Sequence, residues 1–429
     1  MILLLAGTGC GLQRSDKPDV FLIIIDTLRA DHLSCYGYPR DTSPVLDSLA
    51  AVGTLFTRFQ AHAPWTLPSC ASIWTGLTPA SHMAGMRDLV TYGLNPELPN
   101  IATILKSQGY ITLGFVNTIL LSRTAGFANG FDHYSCVDHG HGRAGETVDE
   151  VIDWLYENRG NPNPKFAVIH LFDAHAPYDP PAGFDRRYSP EGAMGVTDWQ
   201  TDSLNNLLNP DDRDHLIDMY DGEIAWVDSQ LGRLFAELRR TGIADNAFII
   251  VTADHGEEFL DHGSCGHSHT LYQELLHVPL IVSGPGIPAG IEDSASCGQF
   301  DILPVIASFT GIPVPEGVEG INLFSDTPSR RIIPSSGLLI GHFRTGLSDD
   351  VESTCSVMDW PDKAIVNFMT MEEARYDLLL DPGESEPMGM DSTLMRELEY
   401  YWSTPPRVVP PIVSDNAVDD NLQGLGYIN

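Results

Sequence analysis

"DVFLIIIDTLRAD", residues 19–31, sets six consecutive apolar residues, Val20 to Ile25, directly before a carboxylate, Asp26. A short unbroken run rich in isoleucine predicts a strand buried on both faces, as in a parallel sheet covered by helices. Two further stretches repeat the pattern. "KFAVIHLFDAHAPYDPP", residues 165–181, predicts a strand from Phe166 to about Leu171, followed by Asp173 and His175. "NAFIIVTADHGEEF", residues 246–259, predicts one from Phe248 to Thr252, followed by Asp254 and His255. Ligands of open α/β sheets bind beyond the carboxyl ends of the strands, where all these polar groups fall. The expected class is α/β with a central, mostly parallel sheet.

Helical spacing of apolar residues fills the intervals, over Ser43–Ala51, Leu98–Gln108, Thr147–Asn158 and His215–Arg240, the last stopped by Gly242. Asp221, Glu223 and Asp228 on that last helix read as solvated or capping charges rather than ligands. "PLIVSGPG" adds a strand, Pro279–Ser283, and "DILPVIASFTGI" a helix. Beyond about Phe324 the periodicity weakens. "GLLIGHFRTG" and "KAIVNFMTMEEARYDLLLDPGE" read as short strands of a small antiparallel C-terminal subdomain. The Pro-rich tail from Thr404 reads as surface-draped or disordered. The expected division is a leader and linker over 1–18, a main domain over 19–325, and the small subdomain with its tail over 326–429.

The chain has 429 residues, 43% hydrophobic, and a net charge of −34 with only four lysines, Lys17, Lys106, Lys165 and Lys363. Such acidity excludes nucleic acid and an anionic membrane face as partners, and it reads as a solvated surface. "MILLLAGTGC", residues 1–10, resembles a bacterial lipoprotein signal with Cys10 as the lipidated residue. That implies export to the periplasm or cell envelope, with a lipid anchor at Cys10 as the only membrane contact. A plain hydrophobic start is the alternative. The remaining six cysteines are scattered and specify no disulfide pairs; none forms a C-x-x-C pair, which argues against a thiolate zinc site.

One more stretch carries chemistry. "APWTLPSCASIWTGLTP", residues 63–79, reads as a loop entering a short helix, with Pro68 in its first turn and Gly76 at its stop. Thr66 stands at the entrance, either as an ordinary cap or as a nucleophile facing an anion. Asp26, Asp254 and His255, past two strand ends, offer two carboxylates and an imidazole for a divalent metal, and Thr66 could complete the set.

From about Asp19 to Glu384 these segments resemble the sulfatase family of the alkaline phosphatase superfamily. The resemblance rests on "IIIDTLRADHLSCYGYPRDTSPVLDSLA", the stretch around Thr66, "HLFDAHAPYDPP", "YDGEIAWVDSQLG", "VTADHGEEF", "GHSHTLYQELLHVPLIVSGPG", "FDILPVIASFTGIPVPEGVEGINL" and "YDLLLDPGE". It implies an alkaline-phosphatase-like three-layer sandwich whose main domain is a metal-dependent hydrolase of sulfate, phosphate or phosphonate esters. One divalent metal, Ca, Mn or Zn, is implied on Asp26, Asp254, His255 and Thr66.

The departures matter as much. Typical sulfatases place a Cys or Ser, converted to formylglycine, where Thr66 stands, and threonine cannot become that aldehyde. Cys70 occupies the place of the motif's Arg, Thr27 that of a second metal-binding Asp in many members, and Asn117 lies near a usual substrate-binding Lys. Cationic help would then come from His175, His267 or His269, with Asn117 and Asp173 as substrate contacts. No formylglycine is expected. Relatives with Thr at this position use its alkoxide on phosphorus, so phosphodiester or phosphonate chemistry is favoured, on a small-molecule, glycan or lipid ester. The alternatives are a transferase of phosphoryl-linked headgroups and a catalytically dead surface binding protein.

Overall fold

The computed structural model describes residues 15–87, 90–137, 143–188, 210–325, 328, 330–337, 354–368 and 370–403. The three apolar runs form adjacent strands at the centre of one sheet. In chain order its strands are β1 (Asp19–Ile25), β2 (Thr54–Phe56), β3 (Ile111–Val116), β4 (His133–Cys136), β5 (Lys165–Leu171), β6 (Ala247–Ala253), β7 (Leu280–Ser283) and β8 (Ile291–Asp293). They lie side by side as β8-β2-β7-β6-β1-β5-β3-β4. β1 pairs in parallel with β5, Ile24 opposite His170, and with β6, Ile25 opposite Ala253. β3 and β4 continue the parallel set, while β7 runs antiparallel to β6 and β2. Every residue of β1 and β5 is buried, as their uninterrupted apolar sequence requires.

Among the described residues, seven helices of seven residues or more cover the sheet and its extension: α1 (Pro44–Ala51), α2 (Thr66–Thr75), α3 (Ile101–Ser107), α4 (Ala144–Glu157), α5 (Pro210–Arg240), α6 (Ile302–Thr310) and α7 (Ser392–Trp402). α1, α4 and α5 pack together as one layer, and α2, α3 and α6 as the other, completing a three-layer sandwich. Helix starts differ from expectation by a few residues, for physical reasons. α3 begins later, at Ile101, because Asn100 accepts hydrogen bonds from the Ala102 and Thr103 amides. α4 begins earlier, at Ala144, because its cap comes from elsewhere: both Asp173 oxygens accept from the Ala144 amide at 3.0 Å. Pro210 opens α5, where a missing N–H costs nothing.

The charges on α5 expected to be solvated or capping are all buried, so none is solvated, and the capping alternative holds for Asp228. Asp221 bonds Tyr38 and Arg40 at 2.7 Å and His32 at 2.8 Å, Glu223 accepts from the Asp179 amide, and Asp228 accepts from the Val45 and Leu46 amides at the head of α1.

A second, four-stranded antiparallel sheet follows in the chain: β9 (Ile333–Ser336), β10 (Thr354–Asp359), β11 (Asp362–Asn367) and β12 (Glu373–Asp377). α7 packs on β10 and β11 through Leu394, Leu398 and Tyr401. β9 ties this sheet to the main body: Ser336 N donates to His62 O at 2.9 Å and Ser335 Oγ to Ala61 O at 2.8 Å. Between α2 and α3 lies a short antiparallel ribbon of Gly85–Arg87 with Val90–Tyr92. Residues 189–209, all but the first residue of the strand expected over 337–346, the tail from Thr404 and the segment holding Cys10 lie outside the described residues. Among the described residues no helix is long and apolar enough to cross a membrane.

Candidate active site

β1 and β6 end side by side, so Asp26 and Asp254 leave the sheet at the same edge. The backbone between them is pinned tightly. Thr27 has a left-handed φ of 54°, a costly conformation for a β-branched residue. Three hydrogen bonds hold it there: its amide donates to Asp254 Oδ1 at 3.2 Å, its hydroxyl to Ala174 O at 2.6 Å, and its carbonyl accepts from Tyr220 at 2.8 Å. Thr27 therefore points away from the metal set and supports the loop that presents Asp26.

His255 follows Asp254, and its Nδ1 donates to Gly256 O at 2.9 Å. That contact leaves a lone pair on Nε2, which lies 3.6 Å from Asp26 Oδ1 and 3.5 Å from Asp254 Oδ2. Gly256 is required because a Cβ there would stand 2.0 Å from Glu274 O. Both oxygens of Asp26 and Oδ2 of Asp254 are buried without a hydrogen-bond partner. Burial, and then the Asp254 charge, hold the Asp26 carboxyl well above its ordinary range. Orphaned carboxylate oxygens facing an imidazole lone pair, with donor atoms of all three within 4.8 Å of one another, fit a divalent cation.

α2 delivers the hydroxyl. Trp65, in extended conformation, is its N-cap and no side chain caps it, so Thr66 is the first helical residue and not the cap. Thr66 Oγ1 lies 3.4 Å from His255 Nε2. The uncapped first turn turns its amide N–H groups and the positive end of the helix dipole toward the same place. Gly76 ends α2 at a φ of 68°, in the left-handed region.

The other expected residues divide. His267 packs against His255 with ring centroids 4.5 Å apart and against His175 at 4.9 Å. Its Nδ1 lies 2.9 Å from Glu257, whose other oxygen accepts from Tyr178 at 2.9 Å. Burial pushes Glu257 up to about 6 and His175 down to about 3, so His175 is neutral. His175 Nδ1 donates to Ala176 O at 2.6 Å, leaving a buried Nε2 without a hydrogen-bond partner. His269 is drawn off to Glu258 at 2.6 Å. Asp173 is occupied at the head of α4, with its carboxyl pushed up to about 6 by burial. Asn117 follows β3, two strands from β1, and its amide meets Thr147 Oγ1 at 3.0 Å.

Two residues at the site were given no ligand role by the sequence, His170 not at all and Cys70 only as a departure at the place of the motif's Arg. His170, on β5, has Nε2 3.3 Å from Asp26 Oδ2, and burial holds its ring near 4. Its only signal is a lone polar residue inside a buried run. Cys70 lies one helical turn beyond Thr66 and so shares its face of α2. Burial pushes its thiol well up.

Comparison with known proteins agrees with this architecture. A family model described as Sulfatase matches residues 18–312. Arylsulfatase K of Bos taurus is 22% identical over 356 residues, covering 72% of this chain and 65% of that protein, so the match spans about two thirds of that relative's length. Delta 4,5-hexuronate-2-O-sulfatase of Bacteroides thetaiotaomicron is 23% identical over 436 residues, covering 90% of this chain and 88% of its own. The solved phosphonate monoester hydrolase of Agrobacterium radiobacter superposes with a TM-score of 0.72 at 22% identity, covering 95% of each chain. With that model matched across β1, Thr66, β5 and β6, the chain belongs to the sulfatase family.

Proposed function

We propose that this protein is a metal-dependent hydrolase of phosphoric and phosphonic esters in which Thr66 is the nucleophile. The observation that carries the reading is Thr66 Oγ1 placed 3.4 Å from His255 Nε2, at an uncapped helix start beside orphaned carboxylates. Asp26, Asp254, His255 and Thr66 would hold one divalent ion, Ca, Mn or Zn. Such an ion supplies positive charge and Lewis acidity for an anionic ester.

The residues themselves divide the work. Ionised Thr66 Oγ1, its proton lost to solvent, attacks phosphorus and forms a new O–P bond as the bond to the leaving alkoxide breaks. The first-turn amides of α2 stabilise the charge that develops on the phosphoryl oxygens. His267, oriented by Glu257, gives a proton to the departing alkoxide. It then takes one from water, whose oxygen attacks phosphorus and breaks the Thr66 O–P bond. His175, neutral and with an open Nε2, is a second acceptor for that water.

The threonine supports phosphorus over formylglycine-type sulfate chemistry, and a phosphonate monoester hydrolase among the structural neighbours is consistent with that preference. A relative named for a hexuronate sulfate keeps a glycan ester in view as the wider substrate. Export and a lipid anchor at Cys10 belong to the same reading, carried by residues 1–10.

A nitrophenyl panel with varied metals tests it: phosphodiester, phosphonate monoester, phosphate monoester and aryl sulfate. Phosphodiester or phosphonate turnover should exceed sulfate turnover, and Asp26→Ala and Asp254→Ala should each lose bound metal and activity. Aryl sulfate cleaved well with phosphodiesters untouched, or metal content unchanged in both variants, overturns the reading.

A further inference from the structure

Behind the first set of ligands lies a second. Donor atoms of Cys70, His170 and Asp254 all fall within 4.8 Å of one another, and all three residues are buried. They come from three separate elements: the inner face of α2, the end of β5 and the turn after β6. Both ring nitrogens of His170 lack a hydrogen-bond partner, although the side chain is completely buried. A buried imidazole with neither nitrogen satisfied is rare in folded proteins and points to a missing ligand. The Cys70 thiol is free and no hydrogen bond joins it to the ring. Asp254 Oδ2 is likewise orphaned, and Asp26 Oδ2 lies 3.3 Å from His170 Nε2.

We propose that Cys70, His170 and Asp254 form a second cation site, adjoining the first through the shared Asp254 carboxylate and selective for a thiophilic divalent ion such as zinc. The chemistry of the donors sets that preference. Thiolate and imidazole suit zinc and other borderline-soft ions, whereas calcium and magnesium take oxygen ligands. Three protein ligands leave a fourth position open, the pattern of zinc sites that do chemistry rather than only hold a fold. Binding ionises the Cys70 thiol, and its proton leaves to solvent, so uptake releases a proton. The second charge helps neutralise an anionic ester in a pocket whose own acids are Asp26, Asp254 and Glu257. The proposal rests on the reading of the first metal set only through Asp254.

The test uses the full chain, stripped of metal and reloaded with cobalt(II). Expected are two cobalt ions per chain by elemental analysis and a near-ultraviolet sulfur-to-cobalt charge-transfer band. Cys70→Ser should abolish the band and one equivalent of cobalt while the far-ultraviolet circular dichroism is unchanged. Should that variant not fold, His170→Asn, which keeps the thiol, should lose the same equivalent. Asp26→Asn should lose the other equivalent and keep the band. Cobalt bound without a thiolate band, or full cobalt content in both Cys70→Ser and His170→Asn, overturns the second site. A single ion that carries the band and is indifferent to Asp26→Asn supports the second site and defeats the reading of the first, so the two failures are told apart.

Discussion

At residue 66 a methyl-bearing hydroxyl stands at the head of a completely buried helix, within reach of His255 but outside the capping position held by Trp65. Two consequences separate. Thr66→Ala should remove several kcal/mol of transition-state stabilisation, a loss of turnover by orders of magnitude. It should cost only about 1 kcal/mol or less of stability, because no helix amide depends on its side chain. Thr66→Ser keeps the oxygen and should recover a measurable fraction of the rate. Steady-state kinetics beside thermal unfolding read both; turnover surviving in Thr66→Ala would remove the residue from the chemistry. Asp26, Thr66, Asp254 and His255 were legible in the sequence because each follows a strand end or opens a helix, and such positions are marked locally by an abrupt change from apolar to polar. His170 was not, and Cys70 was legible only as a departure at the motif's Arg position, not as a ligand. A polar residue inside a buried strand, or a cysteine inside a buried helix, looks like core until other elements bring lone pairs up to it. Asn117 and Asp173 were legible as polar groups near the right edge of the sheet, but their partners Thr147 and Ala144 belong to a helix whose approach no local pattern reveals.

Strands were read closely, whereas helix starts were missed whether the cap is local or lent. α3, expected from Leu98, begins at Ile101, and α4, expected from Thr147, begins at Ala144, while α1 begins one residue after the expected Ser43. β1, β5 and β6 announce themselves as apolar runs, and α3 carries its own cap in Asn100. α1 and α4 do not: Asp228 from α5 receives the first amides of α1, and Asp173 receives that of α4. A cap supplied from far along the chain leaves no signature at the helix it starts, and α4 begins three residues before its expected start. The arrangement has a pH consequence. Burial pushes the Asp228 carboxyl from the ordinary 3.8 up to about 6. Between about pH 4 and 6 the folded chain holds a proton that the unfolded chain has released, so the contribution of this group to stability falls as pH rises through that window. Asp228→Asn retains an acceptor for the α1 amides and cannot ionise. Its unfolding free energy should decline less from pH 4 to 6 than the wild type's, by on the order of 1–3 kcal/mol. Urea denaturation at a series of pH values measures the difference, and parallel curves for the two proteins would assign the burial cost elsewhere.

The whole molecule carries a net charge of −34 and pairs much of its scarce cationic charge with its own acids, as Arg29 does with Asp31 and Asp261 and Arg331 with Asp301. The unpaired remainder repels itself over the surface. Sodium chloride should therefore stabilise the fold: the melting temperature should rise by several degrees between low salt and about 1 M, where the screening length shrinks to about 3 Å. A melting temperature that is flat or falls would show that the acids are already neutralised in place. The sheet has a different kind of consequence, one in time. The Thr27 amide and the Asp254 carboxylate meet across 227 residues of chain. During synthesis, no ligand shell can close until β6 has emerged and settled beside β1, so an ion cannot rescue an early folding intermediate. Once closed, the same geography would make an ion held by the proposed set a clasp across the middle of the sheet. The rate at which a chelator drew it out would then become a clock for how often those two strands part.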